Sequence, residues 1–126
     1  MKHHLVFVYG TLMKGYGNHR LMKNARFLGY AETLEKYRMT YTAYPMLTEE
    51  PLVHIKGELY EVSEDDLIDR LDDLEGVPYL YERKEIPVKS GEKTLTAWAY
   101  LYKCGHGKYP VHTGNYRDVA PSLYEH

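Results

Sequence analysis

An unbroken apolar run from Leu5 to Tyr9, ended by Gly10, constrains the fold more than any other feature of the sequence. The residues of this run favour strands and no polar residue interrupts them, so they predict a β-strand that is buried on both faces. With 126 residues the chain has room for one compact domain, which we predict to span residues 1–126. A domain of this size buries roughly two thirds of its unfolded surface, which is enough for a core around such a strand.

The segments that follow this strand predict one short helix and then several strands. Asn18 is a suitable N-cap for a helix that runs to about Ala25. The stretch from Phe27 to Val62 is rich in Tyr, Thr and Leu and contains four breakers, which indicates several short, mostly antiparallel strands. The breakers are Gly29, Pro45, Pro51 and Gly57.

Ser63 opens the clearest helix of the sequence. Its hydroxyl can cap the helix, and Asp66 lies three residues further on as a capping-box partner. Gly76 and Pro78 end the helix. Four residues recur at helical spacing and predict one apolar face: Leu67, Ile68, Leu71 and Leu74.

Two further strands are predicted to form a hairpin. They run from Glu82 to Val88 and from Leu95 to Tyr102, on either side of a tight polar turn at residues 90–93. The tail after Lys103 is rich in Gly and Pro and is predicted to be irregular. Together the elements predict an α+β domain with two helices and about six short strands.

Composition excludes several classes of function. Sixteen basic and eighteen acidic residues give a formal charge of −2, which predicts no nucleic-acid partner. We expect no signal peptide and no membrane helix, since no apolar stretch approaches the length of about 18 residues that a span needs, and we predict a cytoplasmic protein. A single cysteine, Cys104, excludes a disulfide framework, and the seven histidines lack the spacing of a helical metal site, so no metal is predicted. Fourteen tyrosines fit either a polar-lined cavity or half-buried strand positions.

The glycine-containing loop after the first strand is a candidate anion site. It lacks the Lys and the Ser or Thr of a phosphate loop, because Tyr16 and Gly17 stand in their places. A turn between a buried strand and a helix still exposes backbone N–H groups, which can bind an anion or a developing oxyanion. An ordinary strand-to-helix turn is the alternative.

The acidic end of the second predicted helix holds the best candidate for a general base. Asp69, Asp72, Asp73 and Glu75 crowd the half of the helix where the macrodipole favours cations. Glu75 has apolar neighbours in the sequence, and partial burial would raise its proton affinity as a general base requires. A solvated acidic face paired with nearby Arg and Lys residues is an equal alternative. Cys104, two residues before His106, is a weaker candidate, as a thiol nucleophile.

Taken in order, the motifs resemble the gamma-glutamylcyclotransferase-like family. The matching segments lie between Phe7 and about Val88, and the tail resembles the family's Ser-Gly-Asp-Trp segment with conservative changes. These segments are residues 7–12, Gly15, residues 18–20, residues 57–62, residues 71–75 and residues 81–83, with residues 113–117 in the tail.

The resemblance implies a small mixed, mostly antiparallel β-barrel-like sheet with two flanking helices. It also implies a cyclotransferase for gamma-glutamylamines that needs no cofactor and releases 5-oxoproline, with Glu75 as the catalytic acid/base. The substrate would be a small gamma-glutamyl compound, bound by Tyr9, Gly10, Thr11, Leu12 and Tyr81. Two alternatives stay open: gamma-glutamyl amino acids or other conjugates as substrates, and a non-catalytic binding domain of the same fold.

Overall fold

The apolar run at the start of the chain forms strand β1, His3–Val8, in the computed structural model, which describes residues 2–120. β1 lies between two other strands, antiparallel to one and parallel to the other. Val6 and Phe7 are fully buried and Val8 is 3% exposed, so consecutive side chains on opposite faces are all covered. The prediction of a strand buried on both faces is confirmed.

The strands pair into a closed ring. β1 pairs with β3, β3 with β2, β2 with β4, β4 with β5, and β5 returns to β1 through the parallel pair Val6 and Trp98. All other pairings are antiparallel, so the predicted mixed, mostly antiparallel α+β fold is confirmed. The remaining strands are β2 (Arg26–Tyr41), β3 (Pro45–Ser63), β4 (Tyr81–Ser90), β5 (Lys93–Tyr102) and β6 (Tyr109–Pro110), the last paired with β2.

The prediction of several short strands between Phe27 and Val62 is wrong. β2 and β3 have 16 and 19 residues, and three shifts of register along their pairing take up the irregularities that the breakers introduce. Gly57 continues β3 rather than ending it. A Cβ atom at this position would lie 2.2 Å from the carbonyl oxygen of Val8, so the glycine allows β1 and β3 to approach closely.

The first predicted helix is shorter than expected and has a different cap. It is a 3₁₀ helix, Gly17–Met22, whose N-cap residue is Tyr16. Asn18 lies inside this helix rather than at its cap: its Oδ1 accepts Arg20 Nη1 at 3.3 Å, and its Nδ2 donates a hydrogen bond of 3.0 Å to Thr11 Oγ1. The contact ties the start of this helix to the loop that follows β1.

The second helix begins and ends as predicted, but its middle is wound as a π-helix, which is wider than an α-helix. It consists of an α turn at Glu64–Asp66, a π-helical stretch at Leu67–Asp72 and a last α turn at Asp73–Glu75, and we name the whole the 64–75 helix. Ser63 Oγ accepts the Asp66 N–H at 3.1 Å, as the capping pattern predicts. The π-helical winding changes the side-chain period, which moves two residues of the predicted apolar face toward solvent. Leu67 and Leu71 are buried, whereas Ile68 and Leu74 are 50% and 37% exposed.

The predicted hairpin is confirmed and is longer than expected. β4 and β5 pair from Tyr81 opposite Tyr102 to Ser90 opposite Lys93, and Gly91 turns the chain with φ +60°. Within residues 2–120 no helix has the length and apolar character to cross a membrane.

Candidate active site

The loop after β1 packs directly on the start of β3. A Cβ atom on Gly10 would lie 2.3 Å from Pro45 Cγ, so only glycine fits at this crossing. The loop then turns through a hydrogen bond of 3.0 Å from the Met13 N–H to the Gly10 carbonyl. Tyr9, Gly10 and Thr11 are thereby held against the first residues of β3.

Glu75 is the last residue of the 64–75 helix, and the turn that follows it leads into β4. Gly76 takes the left-handed conformation at φ +66° and donates its N–H to the Asp73 carbonyl. The bond between Val77 and Pro78 is cis, and the N–H groups of Tyr79 and Leu80 both donate to the Gly76 carbonyl. This turn brings Tyr81, the first residue of β4, to the same place as Glu75.

A cavity of about 410 Å³ lies between these two segments. The structure brings together five of the six predicted site residues in its lining: Tyr9, Gly10, Thr11, Glu75 and Tyr81. Leu12 is the exception, because its side chain is buried in the core at 4% exposure. The lining also includes nine residues that were not predicted as site residues: Phe7, Val8, Asn18, Ala43, Tyr44, Pro45, Leu74, Leu80 and Tyr100.

Glu75 differs from the other acidic residues of its helix because its carboxylate is both buried and unpaired. Within residues 2–120 it makes no hydrogen bond or ion pair. Burial raises the pKa of Glu75 from its ordinary value of 4.5 to about 7. The carboxylate is therefore poised to exchange a proton near neutral pH.

Asp72, three residues earlier, fits the alternative interpretation, in which the acidic residues of this helix pair with nearby Arg and Lys residues. Its carboxylate accepts Arg83 Nε at 2.9 and 3.2 Å and the hydroxyl of Tyr100 at 2.7 Å. Tyr100 also lines the cavity. The alternative thus holds for Asp72 and not for Glu75, which faces the cavity.

The tyrosine hydroxyls around Glu75 are neutral donors that are already engaged with the backbone. Tyr9 donates to the carbonyl of Tyr100 at 2.5 Å, and Tyr81 donates to the carbonyl of Pro45 at 2.9 Å. Burial, assisted by the charge of Glu75, raises the pKa of both hydroxyls well above the ordinary value. Tyr81 therefore donates its proton to the Pro45 carbonyl rather than to Glu75. The oxygen of each hydroxyl can still accept a hydrogen bond.

Backbone donors of the loop remain free next to the cavity. Within residues 2–120 the N–H groups of Gly10, Thr11 and Leu12 donate no hydrogen bond. Two side-chain hydrogen bonds fix the loop in place. His19 Nδ1 donates to the Leu12 carbonyl at 2.8 Å, and Asn18 Nδ2 donates to Thr11 Oγ1. A fixed loop with free N–H groups is suited to binding an anion or an oxyanion.

Comparison with known proteins decides the family. The family model described as gamma-glutamyl cyclotransferase, AIG2-like, matches residues 6–118. The chain belongs to this family. A Methanocaldococcus jannaschii protein with a provisional gamma-glutamylcyclotransferase name is 44% identical over 119 residues, which cover 90% of this chain and 95% of that protein. The human gamma-glutamylaminecyclotransferase is 37% identical over 95 residues, which cover 68% of this chain and 61% of that protein.

Solved structures of the family have the same fold. The crystal structure of an AIG2-like protein from Mus musculus superimposes with a TM-score of 0.84 at 26% identity, covering 96% of this chain and 92% of that one. The family and the names of the relatives indicate gamma-glutamylcyclotransferase activity.

In this member of the family, a buried ion pair anchors the far end of the loop that follows β1. Glu58 is 1% exposed, and its carboxylate accepts the Lys14 N–H at 3.0 Å, the Tyr60 hydroxyl at 2.8 Å and Arg117 Nη2 at 3.0 Å. Arg117 also donates to the Lys14 carbonyl at 2.6 Å. The tail segment at residues 113–117 therefore contacts the loop from outside the cavity that contains Glu75.

Replacing Arg117 with methionine tests this anchor. The change keeps an unbranched side chain and leaves the Glu58 carboxylate buried without its cation, which destabilises proteins strongly. We expect a loss of about 3 kcal/mol in the free energy of unfolding, at the lower end of the usual range because two hydrogen bonds to Glu58 remain. Urea denaturation measures this loss. As a control, Glu50→Gln breaks the exposed pair of Arg38 with Glu50 and should cost less than about 1 kcal/mol; an equal loss in both variants would contradict the account.

A second cavity, of about 500 Å³, lies on the other side of this ion pair. It is lined in part by Tyr30, Lys56, Glu58, Lys89 and Arg117. Although it is the larger of the two, its only buried carboxylate is Glu58, which already has three partners. An unpaired carboxylate with a pKa of about 7 is found at Glu75, so the smaller cavity is the better candidate for the active site.

The thiol and histidine candidates lie apart from the cavity. Cys104 is exposed, with its Sγ 3.4 Å from the carbonyl of Tyr79, and His106 Nδ1 donates to the neighbouring Gly107 carbonyl. Neither residue lines the cavity with Glu75. In the described part of the chain no three His, Cys, Asp or Glu side chains cluster as a metal site would require.

Proposed function

We propose that this protein is a cofactor-free cyclotransferase for gamma-glutamylamines that releases 5-oxoproline and a free amine. The observation that carries the proposal is the unpaired Glu75, with a pKa of about 7, in a tyrosine-lined cavity opposite the free N–H groups of the loop. Family membership and the name of the human relative support the substrate class.

In the proposed reaction the α-amine of the substrate attacks its own γ-carbonyl carbon. Glu75 takes a proton from the substrate's ammonium or amine, and a tetrahedral oxyanion forms as the new C–N bond closes a five-membered ring. Glu75 then gives the proton to the departing nitrogen as the old C–N bond breaks. A pKa near the working pH suits this two-way proton transfer.

The rest of the site would supply orientation and charge stabilisation. The two reacting groups belong to one molecule, so holding them in the right geometry removes much of the entropic barrier. The N–H groups of Gly10, Thr11 and Leu12 would bind the substrate carboxylate or the oxyanion, in the case of Leu12 through its backbone alone. Tyr9 and Tyr81 would form the walls and accept hydrogen bonds from the substrate's ammonium group.

A non-catalytic binding domain is the less favoured alternative. A binding protein gains nothing from burying an unpaired carboxylate, because desolvation of a charge is unfavourable. We also propose that the protein acts in the cytoplasm on a small-molecule substrate, with no nucleic-acid or membrane partner.

A product assay tests the proposed function. Pure protein is incubated with a panel of gamma-glutamylamines and gamma-glutamyl amino acids, and we expect 5-oxoproline and the free amine from the gamma-glutamylamines. The rates should be unchanged after treatment with a chelator and in the Cys104→Ser variant, since the proposed route uses neither a metal nor a thiolate. No 5-oxoproline from any compound would refute the function, and loss of activity on chelation would refute the cofactor-free mechanism.

The pH dependence of kcat/KM reports the ionisation of Glu75 in the free enzyme. The ionised carboxylate is the active base, so activity requires a pH above its raised pKa of about 7. We expect kcat/KM to fall about tenfold per pH unit below that value, after correction for the separately titrated substrate. A profile that stays flat down to about pH 5 would show that the essential base has an ordinary carboxyl pKa.

A further inference from the structure

A half-buried ion pair lies next to the cavity that contains Glu75. The Arg83 and Asp72 side chains are 21% and 13% exposed, and Arg83 Nε donates to both carboxylate oxygens of Asp72. The guanidinium also lies over the ring of Trp98, with its Cζ atom 4.4 Å from the ring centroid. Arg83 is therefore held by a carboxylate and by an aromatic ring at the same time.

Both members of this ion pair are close to the base along their own elements. On the 64–75 helix, Asp72 precedes Glu75 by three residues, a spacing that makes side chains neighbours on the helix surface. On β4, Arg83 follows Tyr81 by two residues, so the two side chains point to the same face of the strand. Tyr81 lines the cavity together with Glu75. The guanidinium is thus held about one helical turn from the base.

Tyr100 is a shared neighbour of the ion pair and the base. Its hydroxyl donates to Asp72 at 2.7 Å, and the residue also lines the cavity. The register of the hairpin places it directly opposite Arg83. Burial, the hydrogen bond to Asp72 and the charge of Glu75 all raise the pKa of this hydroxyl, so it stays neutral beside both carboxylates.

Glu75 has no cation beside it although Arg83 is near. A salt bridge with a guanidinium would favour the ionised carboxylate and lower its pKa, whereas burial raises it. A carboxylate with a low pKa is a weak base, so proton transfer in both directions requires that Arg83 stay away. Lys103 donates to the Pro78 carbonyl and does not line the cavity. The other titratable side chains in the lining are tyrosines: Tyr9, Tyr44, Tyr81 and Tyr100.

We propose that Asp72 is a positioning residue, which holds Arg83 away from Glu75 and so keeps the base unpaired. This inference rests on the proposed function, in which Glu75 both takes and gives a proton. Asp72 itself does not line the cavity, and it acts on the reaction through the place that it gives to the guanidinium.

Asp72→Asn tests the proposal, because it removes the charge that holds Arg83 and keeps an oxygen that can accept the Tyr100 hydroxyl. The released guanidinium should pair with Glu75, and we expect the pKa of Glu75 to fall from about 7 to about 6 or below. A ¹³C NMR titration of the side-chain carboxyl carbon measures this pKa without turnover, and the signal is assigned by its absence in Glu75→Gln. Asp73→Asn, which removes an exposed charge next to Asp72, should leave the pKa nearly unchanged.

A double-variant cycle separates movement of Arg83 from simple loss of the negative charge at Asp72. Arg83→Gln alone should leave the pKa of Glu75 at or above its native value, since the guanidinium does not pair with Glu75 in the native protein. Asp72→Asn combined with Arg83→Gln should restore a pKa near 7. If only the fields of fixed charges mattered, the two single shifts would add up to the shift of the double variant.

The kinetics of the same variants give the second readout. In Asp72→Asn the acidic limb of the kcat/KM profile should move to lower pH, and the plateau should fall about tenfold, because the paired base is weaker. The double variant should recover most of this loss, which a merely structural role of Asp72 would not allow. Asp72→Ser removes the same charge with a smaller side chain and should shift the limb in the same direction.

The outcomes separate this inference from the function on which it rests. An unchanged pKa of Glu75 in the Asp72 variants, or additive shifts across the cycle, would overturn the positioning role and leave the cyclotransferase intact. Absence of 5-oxoproline with the native protein would overturn the proposed function, while the NMR titration would still show whether Asp72 keeps Arg83 from Glu75.

Discussion

Glu75→Gln should lower kcat by about 10²–10⁴-fold, because it removes the proposed proton carrier and keeps the volume of the side chain. Loss of general acid–base catalysis accounts for an effect of this size, while the loop donors and the cavity remain to bind substrate. Steady-state kinetics with a gamma-glutamylamine measure the change. Asp73→Asn is the matched control, since it removes an exposed carboxylate from the same helical turn and should leave kcat within about twofold.

The stability of the Glu75→Gln protein gives a second readout, which does not depend on activity. The pKa of Glu75 is higher in the folded protein than its ordinary value, so the folded state binds more protons between about pH 4.5 and pH 7. Ionisation of Glu75 therefore opposes folding, and this penalty grows across that window and is complete above it. We expect the glutamine variant to be more stable than the native protein at about pH 8, with the difference shrinking toward about pH 5. A folded variant with native activity would refute the role of Glu75.

Local sequence patterns predicted the elements whose conformation depends on nearby residues. The continuous apolar run specified β1, and the Ser63 cap specified the start of the 64–75 helix. The lengths of β2 and β3 were not predictable in this way. Glycine usually weakens a strand, and only the approach of Val8 to Gly57 in the folded chain shows that this glycine is required for pairing.

The candidate site was predicted in outline, because its residues follow directly from the ends of predicted elements. Glu75 ends a helix, Tyr9 and Gly10 follow a strand, and all three line one cavity in the structure. Tyr100 was missed because contacts between distant segments bring it to the site, and Asn18 was missed because its side chain was assigned to a helix cap. The register of the β4–β5 hairpin places Tyr100 opposite Arg83, which would have been the available signal.

Blocking the α-amine of the substrate should abolish turnover, because it removes the nucleophile that the proposed mechanism uses. An N-acetylated gamma-glutamylamine keeps the amide that would be cleaved, so a hydrolase acting through a water molecule could still process it. We expect no release of amine from this compound above the rate without enzyme. The unblocked parent compound, assayed in parallel, shows that the enzyme is active.

The origin of the oxygen atoms in the product tests the central claim most directly. In the proposed reaction the α-amine displaces the leaving amine and no water is consumed, so turnover in ¹⁸O-enriched water should yield unlabelled 5-oxoproline with at most a trace of glutamate. A hydrolase that uses Glu75 to activate water would incorporate one solvent oxygen into free glutamate. Mass spectrometry of the products distinguishes the two reactions: unlabelled 5-oxoproline is the result that the cyclotransferase mechanism predicts, and ¹⁸O-labelled glutamate as the main product would contradict it.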